Sequence, residues 1–233
     1  MNIKITKEQA DFIFNRSKSS YIIGSRLYST AKENSDTDHV IIYKSFHEDS
    51  DLIYPNYHQF QWDDSENNSQ YVFTSERQFW KNLLSGDSSI NADIILFYNE
   101  YNDDEKLNIC RTYNIIKSFI GFAKRDIKNY KAGKGKNKLF HIERGLYCAH
   151  ALMENALPNI YDFKFCRKKD IDSLEKYEKT LRETCNYLFE KNDLTMYPKN
   201  SLTLYPKHSN LYAIDNELEQ LLINYNNIRE FKY

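Results

Sequence analysis

Near residue 104 the apolar residues change their period, and that change limits what the chain can fold into. Before it they come in short runs: Ser20-Tyr21-Ile22-Ile23, His39-Val40-Ile41-Ile42-Tyr43, and the aromatic-rich stretches 57–62 and 70–74. After it they recur at helical spacing through 104–131, 138–157, 170–192 and 209–230. Short bounded runs are satisfied by pairing strands, and a 3.6-residue period by packing helices. The sequence therefore predicts an α+β chain, with an α/β core over 1–103 and a helical part over 104–233. No flexible linker marks the boundary. The breaks fall instead at Lys131-Ala132-Gly133-Lys134-Gly135-Lys136-Asn137 and at Pro158, Pro198 and Pro206. With 233 residues the chain can bury a core without staples. Six Gly and four Pro exclude collagen-like or linker-dominated architecture.

Local signals refine the elements. Thr6-Lys7-Glu8-Gln9 and Ser75-Glu76-Arg77-Gln78 are capping boxes that open helices, and Gly86 is a stop for the second. Residues 25–31 read as one or two helical turns. The run 93–98, Asp-Ile-Ile-Leu-Phe-Tyr, fits a strand or a buried helix equally well.

Charge is close to balanced, at −1, but unevenly placed. Residues 45–76 hold seven acids and no Lys or Arg; residues 124–144 hold eight bases against Asp126 and Glu143. Such a contrast makes a steering field at a cleft, or simply a solvated loop and a solvated helix face. The four cysteines form no C-x-x-C pair, the six histidines form no H-x-x-x-H pair, and no apolar leader or 18-residue apolar run occurs. These absences predict a soluble, reduced, cytoplasmic protein with no disulfide framework, zinc site or membrane partner. The Asn- and Lys-rich polar positions suggest A/T-rich codons, as in many phages and some bacteria.

Chemistry concentrates in 21–42. An apolar strand runs into Gly24-Ser25-Arg26, then a short helix, then Ser35-Asp36-Thr37-Asp38 at the head of a second apolar strand. Residues two apart on a strand share a face, so Asp36 and Asp38 project together. Paired carboxylates repel unless a hard cation lies between them, which makes both candidate metal ligands and catalytic residues. Gly24 permits close backbone approach to a phosphate, and Ser25 offers an amide and a hydroxyl to it. Downstream, Lys138, His141 and Arg144 fall at i, i+3, i+6 and span ~120° of a helix. They read as a cationic wall for phosphates or as a solvated basic stripe. His39, His150 and Met153 read as packing residues, and Cys148 has no catalytic partner in sequence. Gly133-Lys134-Gly135-Lys136 lacks P-loop spacing and reads as an exposed loop that can touch phosphates of a polymer. The Tyr-rich stretches 57–62 and 196–212 read as ordinary aromatics, or as base-stacking surface.

Gly24-Ser25-Arg26-x-Tyr28 followed by Ser35-Asp36-x-Asp38 resembles the DNA polymerase β nucleotidyltransferase superfamily. With Lys138-x-x-His141-x-x-Arg144-x-Leu146 it is most similar to the RlaP-like branch associated with RNA repair. The resemblance implies a polymerase-β-like core, a small mixed sheet with flanking helices, followed by a helical second half. It also implies Mg²⁺ (or Mn²⁺), a nucleoside triphosphate held by Gly24, Ser25, Arg26, Lys138, His141 and Arg144, and transfer of the nucleoside monophosphate to a hydroxyl. The acceptor is an RNA end, a protein side chain or a small molecule. One position departs from the pattern: the family's third carboxylate falls on Gln70, which neither attracts a second metal nor acts as a base. Asp63, Asp64 and Glu66 are the nearest substitutes. The same departure supports an alternative, a nucleotide-binding or interaction protein that has lost catalysis.

Overall fold

The computed structural model of the chain describes residues 3–44, 59–134, 138–165 and 170–194. The strands are β1 (Ile3–Lys4), β2 (Ser17–Ile23), β3 (Thr37–Tyr43), β4 (Gln59–Asp64) and β5 (Ser69–Ser75). They form one sheet in the order β1-β4-β5-β3-β2. β1 runs parallel to β4 and β4 antiparallel to β5, so the sheet is mixed. Phe60 faces Phe73 across the β4–β5 ladder, and Trp62 stacks on Tyr71 at 5.2 Å, cross-strand pairs that fix the register. In β3, Val40, Ile41, Ile42 and Tyr43 are all buried, as in a strand covered on both faces.

Helix α1 (Lys7–Phe14) opens with the expected capping box: Gln9 N–H donates to Thr6 Oγ1, and Thr6 N–H to the Gln9 side chain. The remaining helices are α2 (Gly24–Leu27), α3 (Glu76–Ser85), α4 (Ser89–Phe97), α5 (Asp103–Cys110), α6 (Tyr113–Lys131), α7 (Lys138–Met153) and α8 (Ile171–Glu190), with a 3₁₀ segment at Ile160–Phe165. Residues 93–97 of the ambiguous run belong to α4, and Tyr98 is its extended C-cap. Residues 91–96 are buried all round that helix, so no amphipathic period existed to read. The helix expected over 104–131 is two: Thr112 is extended at φ −122°, and its hydroxyl caps α6 by accepting the Ile115 N–H. Gly86 adopts φ +73° after α3, and a Cβ there would lie 2.3 Å from the Asn114 carbonyl oxygen. Only glycine allows that crossing.

The described residues form two compact units, a sheet unit of 3–21, 38–44 and 59–78, and a helical unit of 22–37, 79–134, 138–165 and 170–194. The sheet unit packs Ile3, Ala10, Ile13, Ile41, Tyr43, Phe60 and Phe73 into one core. The helical unit buries Leu83, Ile116, Phe119, Ile142, Leu146, Phe163 and Leu174. The expected helix over 209–230, the Tyr-rich stretch 196–212, Pro198, Pro206, Cys166, residues 57–58 and the Gly135-Lys136-Asn137 part of the basic loop lie outside the described residues. Among the described residues no helix is long and apolar enough to cross a membrane.

Candidate functional site

The Gly-Ser turn is closed by its own hydrogen bonds. β2 ends in extended backbone at Ile23, and Gly24 turns the chain at φ +66°, a region that favours glycine. The Ser25 carbonyl then accepts the Thr30 and Ala31 N–H groups at 2.8 and 3.1 Å. Arg26 Nη2 donates to the Ser35 carbonyl at 2.8 Å, and the Lys32 N–H donates to Ser35 Oγ at 2.9 Å. Arg26 thus ties the turn to the residue immediately before Asp36. Tyr98 pins the end of β2 by donating its hydroxyl to the Ile22 carbonyl at 2.5 Å. Gly24 and Ser25 are half-buried, Asp36 is exposed one residue ahead of β3, and Asp38 is half-buried as the second residue of that strand. Helix α2 is a single turn and has little macrodipole. An anion there would rely on the backbone amides and the Ser25 hydroxyl.

Beneath the turn lies a cluster that the sequence did not disclose. Tyr28, which follows α2, is 3% exposed and donates its hydroxyl to Asp93 Oδ2 at 2.5 Å. Arg144 Nη1 donates to the same carboxylate oxygen and, at 2.6 Å, to the Tyr28 hydroxyl, while its guanidinium lies 4.4 Å from the centre of the Tyr28 ring. Burial pushes the Asp93 carboxyl upward, and the Arg144 charge and Tyr28 hydroxyl pull it back. For Arg144 burial opposes the charge, but Asp93 outweighs it and the net shift is upward. Burial also raises the Tyr28 hydroxyl well above its ordinary value. For Asp93 burial outweighs both partners, so its net direction stays upward. Asp93 Oδ1 and Arg144 Nε have no hydrogen-bond partner. Phe97, Phe140 and Phe163 surround the Tyr28 ring. A lone acid amid Ile94, Ile95 and Leu96 was the signal available in sequence, since an unpaired charge does not stay buried.

The basic trio on α7 divides three ways. Lys138 Nζ lies 3.4 Å from Asp126 Oδ1 on α6. His141 is exposed on the first turn of α7. Arg144, at 8% exposure, is committed to Asp93. The three share one broad arc, as the spacing predicts, but the edge of the core cuts across it.

The surroundings of Gln70 are equally well defined. Gln70 on β5 faces Asp63 on β4, and its amide donates to Asp63 Oδ1 at 3.0 Å. Asp63 also accepts from Lys4 Nζ at 2.7 Å and Gln61 Nε2 at 2.9 Å, and these bonds, Lys4 first, lower its carboxyl to about 2. Asp64 shapes the β4–β5 turn by accepting the Glu66 and Asn67 N–H groups and the Asn67 side-chain amide. Glu66 is exposed in that turn. Among the described residues no three His, Cys, Asp or Glu side chains are placed to share a metal ion. Asp36 and Asp38 thus suit a hard cation in kind, but two carboxylates leave most of a six-oxygen shell to phosphates and water.

Other candidates have structural places. His39 stacks on Tyr71 at 4.5 Å, and the His150 ring Nδ1 lies 2.6 Å from the Tyr177 hydroxyl. Cys110, Cys148 and Cys185 are buried and unbridged; burial raises the Cys110 thiol, and Cys185 to about 11, so neither is a thiolate at neutral pH.

No protein-family model matches the chain, and no curated protein matches it. Among solved structures it is similar to a nucleotidyltransferase-like protein from Exiguobacterium sibiricum 255-15, with 10% identity, a TM-score of 0.28, and coverage of 95% of this chain and 87% of that one. A likeness of that size carries nothing about activity, which must be argued from this chain's own residues.

Proposed function

We propose that this chain is a nucleotidyltransferase, moving a nucleoside monophosphate from a triphosphate to a hydroxyl acceptor on an RNA end, a protein side chain or a small molecule. The observation that carries the reading is the Arg26–Ser35 bond, which joins the Gly24–Ser25 turn to the segment that presents Asp36. Ser25 and the adjacent amides bind the β- and γ-phosphates. Lys138 and His141 supply counter-charge. Asp36 and Asp38 hold Mg²⁺ or Mn²⁺, which when bound neutralises charge on the phosphates. Arg144 and Asp93 contribute indirectly, by fixing Tyr28 and so the turn in front of it.

A second reading, nucleotide binding without turnover on the same scaffold, is favoured by the Gln70–Asp63 bond and by the lack of a three-carboxylate cluster among the described residues. One experiment separates the two. The protein is incubated with each α-labelled nucleoside triphosphate, Mg²⁺ or Mn²⁺, and total RNA, alongside an Asp36→Ala, Asp38→Ala double variant. Labelled product made by the wild type and lost in the variant supports transfer. Triphosphate binding without product under every condition supports the second reading. Absence of triphosphate binding by the wild type overturns both.

A further inference from the structure

Helix α4 grips the segment 22–28 at two points, one on each side of the Gly24–Ser25 turn. Ahead of the turn, the Tyr98 hydroxyl donates to the Ile22 carbonyl at 2.5 Å. Behind it, Asp93 Oδ2 accepts from the Tyr28 hydroxyl at 2.5 Å. Asp93 comes from the body of the helix and Tyr98 from its C-cap.

The helix is a fixed support. Residues 91–96 are buried, and Ser88 caps the first turn by accepting the Asn91 N–H. The Asn91 side-chain amide donates to the Phe79 carbonyl at 2.8 Å, which ties α4 to α3. Tyr98 leaves the helix at φ −102°, but its N–H still donates to the Ile94 carbonyl at 3.2 Å. Its hydroxyl is therefore presented from backbone that is already anchored.

The turn has less to hold it in shape. α2 is four residues long, too short to persist by its own hydrogen bonds. Gly24, at φ +66°, loses more backbone freedom on ordering than any other residue type. Ile22 is 41% exposed, so the packing of its side chain fixes its peptide only in part. A short segment with a glycine pivot presents its amides in one arrangement when both of its ends are tied.

The two ties differ in what else they do. Tyr28 is 3% exposed and shares its hydroxyl with Arg144, so its loss disturbs the core. Tyr98 is half-buried, and its bond to Ile22 lies at the surface. Water satisfies the Ile22 carbonyl when that hydroxyl is removed, so the bond adds little to folding. What it supplies is the placing of a peptide two residues before Gly24.

We propose that α4 is a two-point brace that sets the conformation of the Gly24–Ser25 turn, with Tyr98 as the positioning residue on its open side. The consequence for triphosphate binding rests on the reading of that turn as a phosphate site; the brace itself does not.

The test measures amide hydrogen exchange, urea unfolding and triphosphate binding with Mg²⁺ on the full-length protein and its Tyr98→Phe variant. Exchange of the amides of Ser25 to Ala31 is expected to rise about five-fold, the equivalent of one net hydrogen bond, with α6 amides and the urea midpoint unchanged. Triphosphate affinity is expected to fall by a similar factor. Tyr187→Phe, which removes an exposed hydroxyl on α8, is the control and leaves all three measurements unchanged. In a Tyr28→Phe, Tyr98→Phe double variant the exchange of the turn is expected to exceed the product of the single effects, because each tie limits the turn when the other is lost. Unchanged exchange at the turn in Tyr98→Phe overturns the brace. A rise spread equally over α6 with a lower urea midpoint also overturns it, since that marks a folding contact, and so does a plain product in the double variant, which marks two independent contacts. A wild type that binds no triphosphate overturns the phosphate role of the turn, while the exchange rates decide the brace.

Discussion

Asp63 in the sheet unit and Asp93 in the helical unit are carboxylates with three and two hydrogen-bonding partners, handled in opposite ways. Asp63 sits at the surface with 44% of its side chain exposed, and Lys4, Gln61 and Gln70 stabilise its charge. Asp93 is 0% exposed, and burial pushes its carboxyl upward against the opposing pull of Arg144. The number of contacts therefore does not rank their importance. Water supplies what Asp63 would lose, whereas nothing replaces Arg144 beside Asp93. The sheet unit keeps its ionic chemistry at the rim of an apolar and aromatic core; the helical unit has placed an ion pair within its core, and a residue of the Gly-Ser turn is fastened to it.

The largest effect expected from this contrast comes from Arg144→Met, which strands a buried carboxylate and lowers stability by about 3–5 kcal/mol. Urea unfolding measures it. Adding Asp93→Leu to Arg144→Met removes the stranded charge, so the double variant is expected to be more stable than Arg144→Met alone. Simple additivity of the two losses would show that the pair is uncoupled and would break the comparison. Gly86→Ala probes steric crowding against backbone in the same unit without touching a charge. A left-handed φ and a 2.3 Å approach to the Asn114 carbonyl predict a loss of about 2–4 kcal/mol. Tyr28→Phe keeps the ring and removes two hydrogen bonds, the one donated to Asp93 and the one accepted from Arg144, for about 1–3 kcal/mol by thermal unfolding. If the cluster also positions the Gly-Ser turn, the same variant weakens triphosphate binding; unchanged affinity with lowered stability would confine it to folding.

The smallest effect belongs to Asp63. Its carboxyl is lowered from 3.8 to about 2 in the folded chain, so its contribution is fully present above pH ~4 and disappears as pH falls through ~2. Solvent screening keeps that contribution under about 1 kcal/mol. Asp63→Asn is expected to flatten the change in urea midpoint between pH 5 and pH 2 by that amount and to leave neutral-pH stability within the same margin. A loss of several kcal/mol would erase the distinction between the two acids.

The elements legible in advance were those with a local cause. The Thr6 capping box, the strands around Gly24, and the long helices announce themselves by spacing and by side chains that bond to their own backbone. Helix α4 was ambiguous because complete burial removes the polar face that gives a period its sign. The break at Arg111–Thr112 was hidden because a Thr cap resembles any Thr within a helical run. The strand–turn–strand around Gly24 and Ser25 was read from the residues themselves, with Asp38 on β3 and Asp36 one residue ahead of it rather than on it. The residues alone could not give the side-chain commitments: Arg26 holds Ser35, Lys138 approaches Asp126, and Gln70 bonds to Asp63.

Sequence alone determined the mixed α+β character and the segment that gathers glycine, serine and paired acids, because periodicity and turn chemistry act over a few residues. Which charges are buried was settled only by tertiary structure. Tyr28, Asp93 and Arg144 are 65 and 51 residues apart in successive steps, and each is unremarkable within its own helix or turn. Their mutual dependence arises from desolvation, which opposes each charge and exists only once the helices close around them.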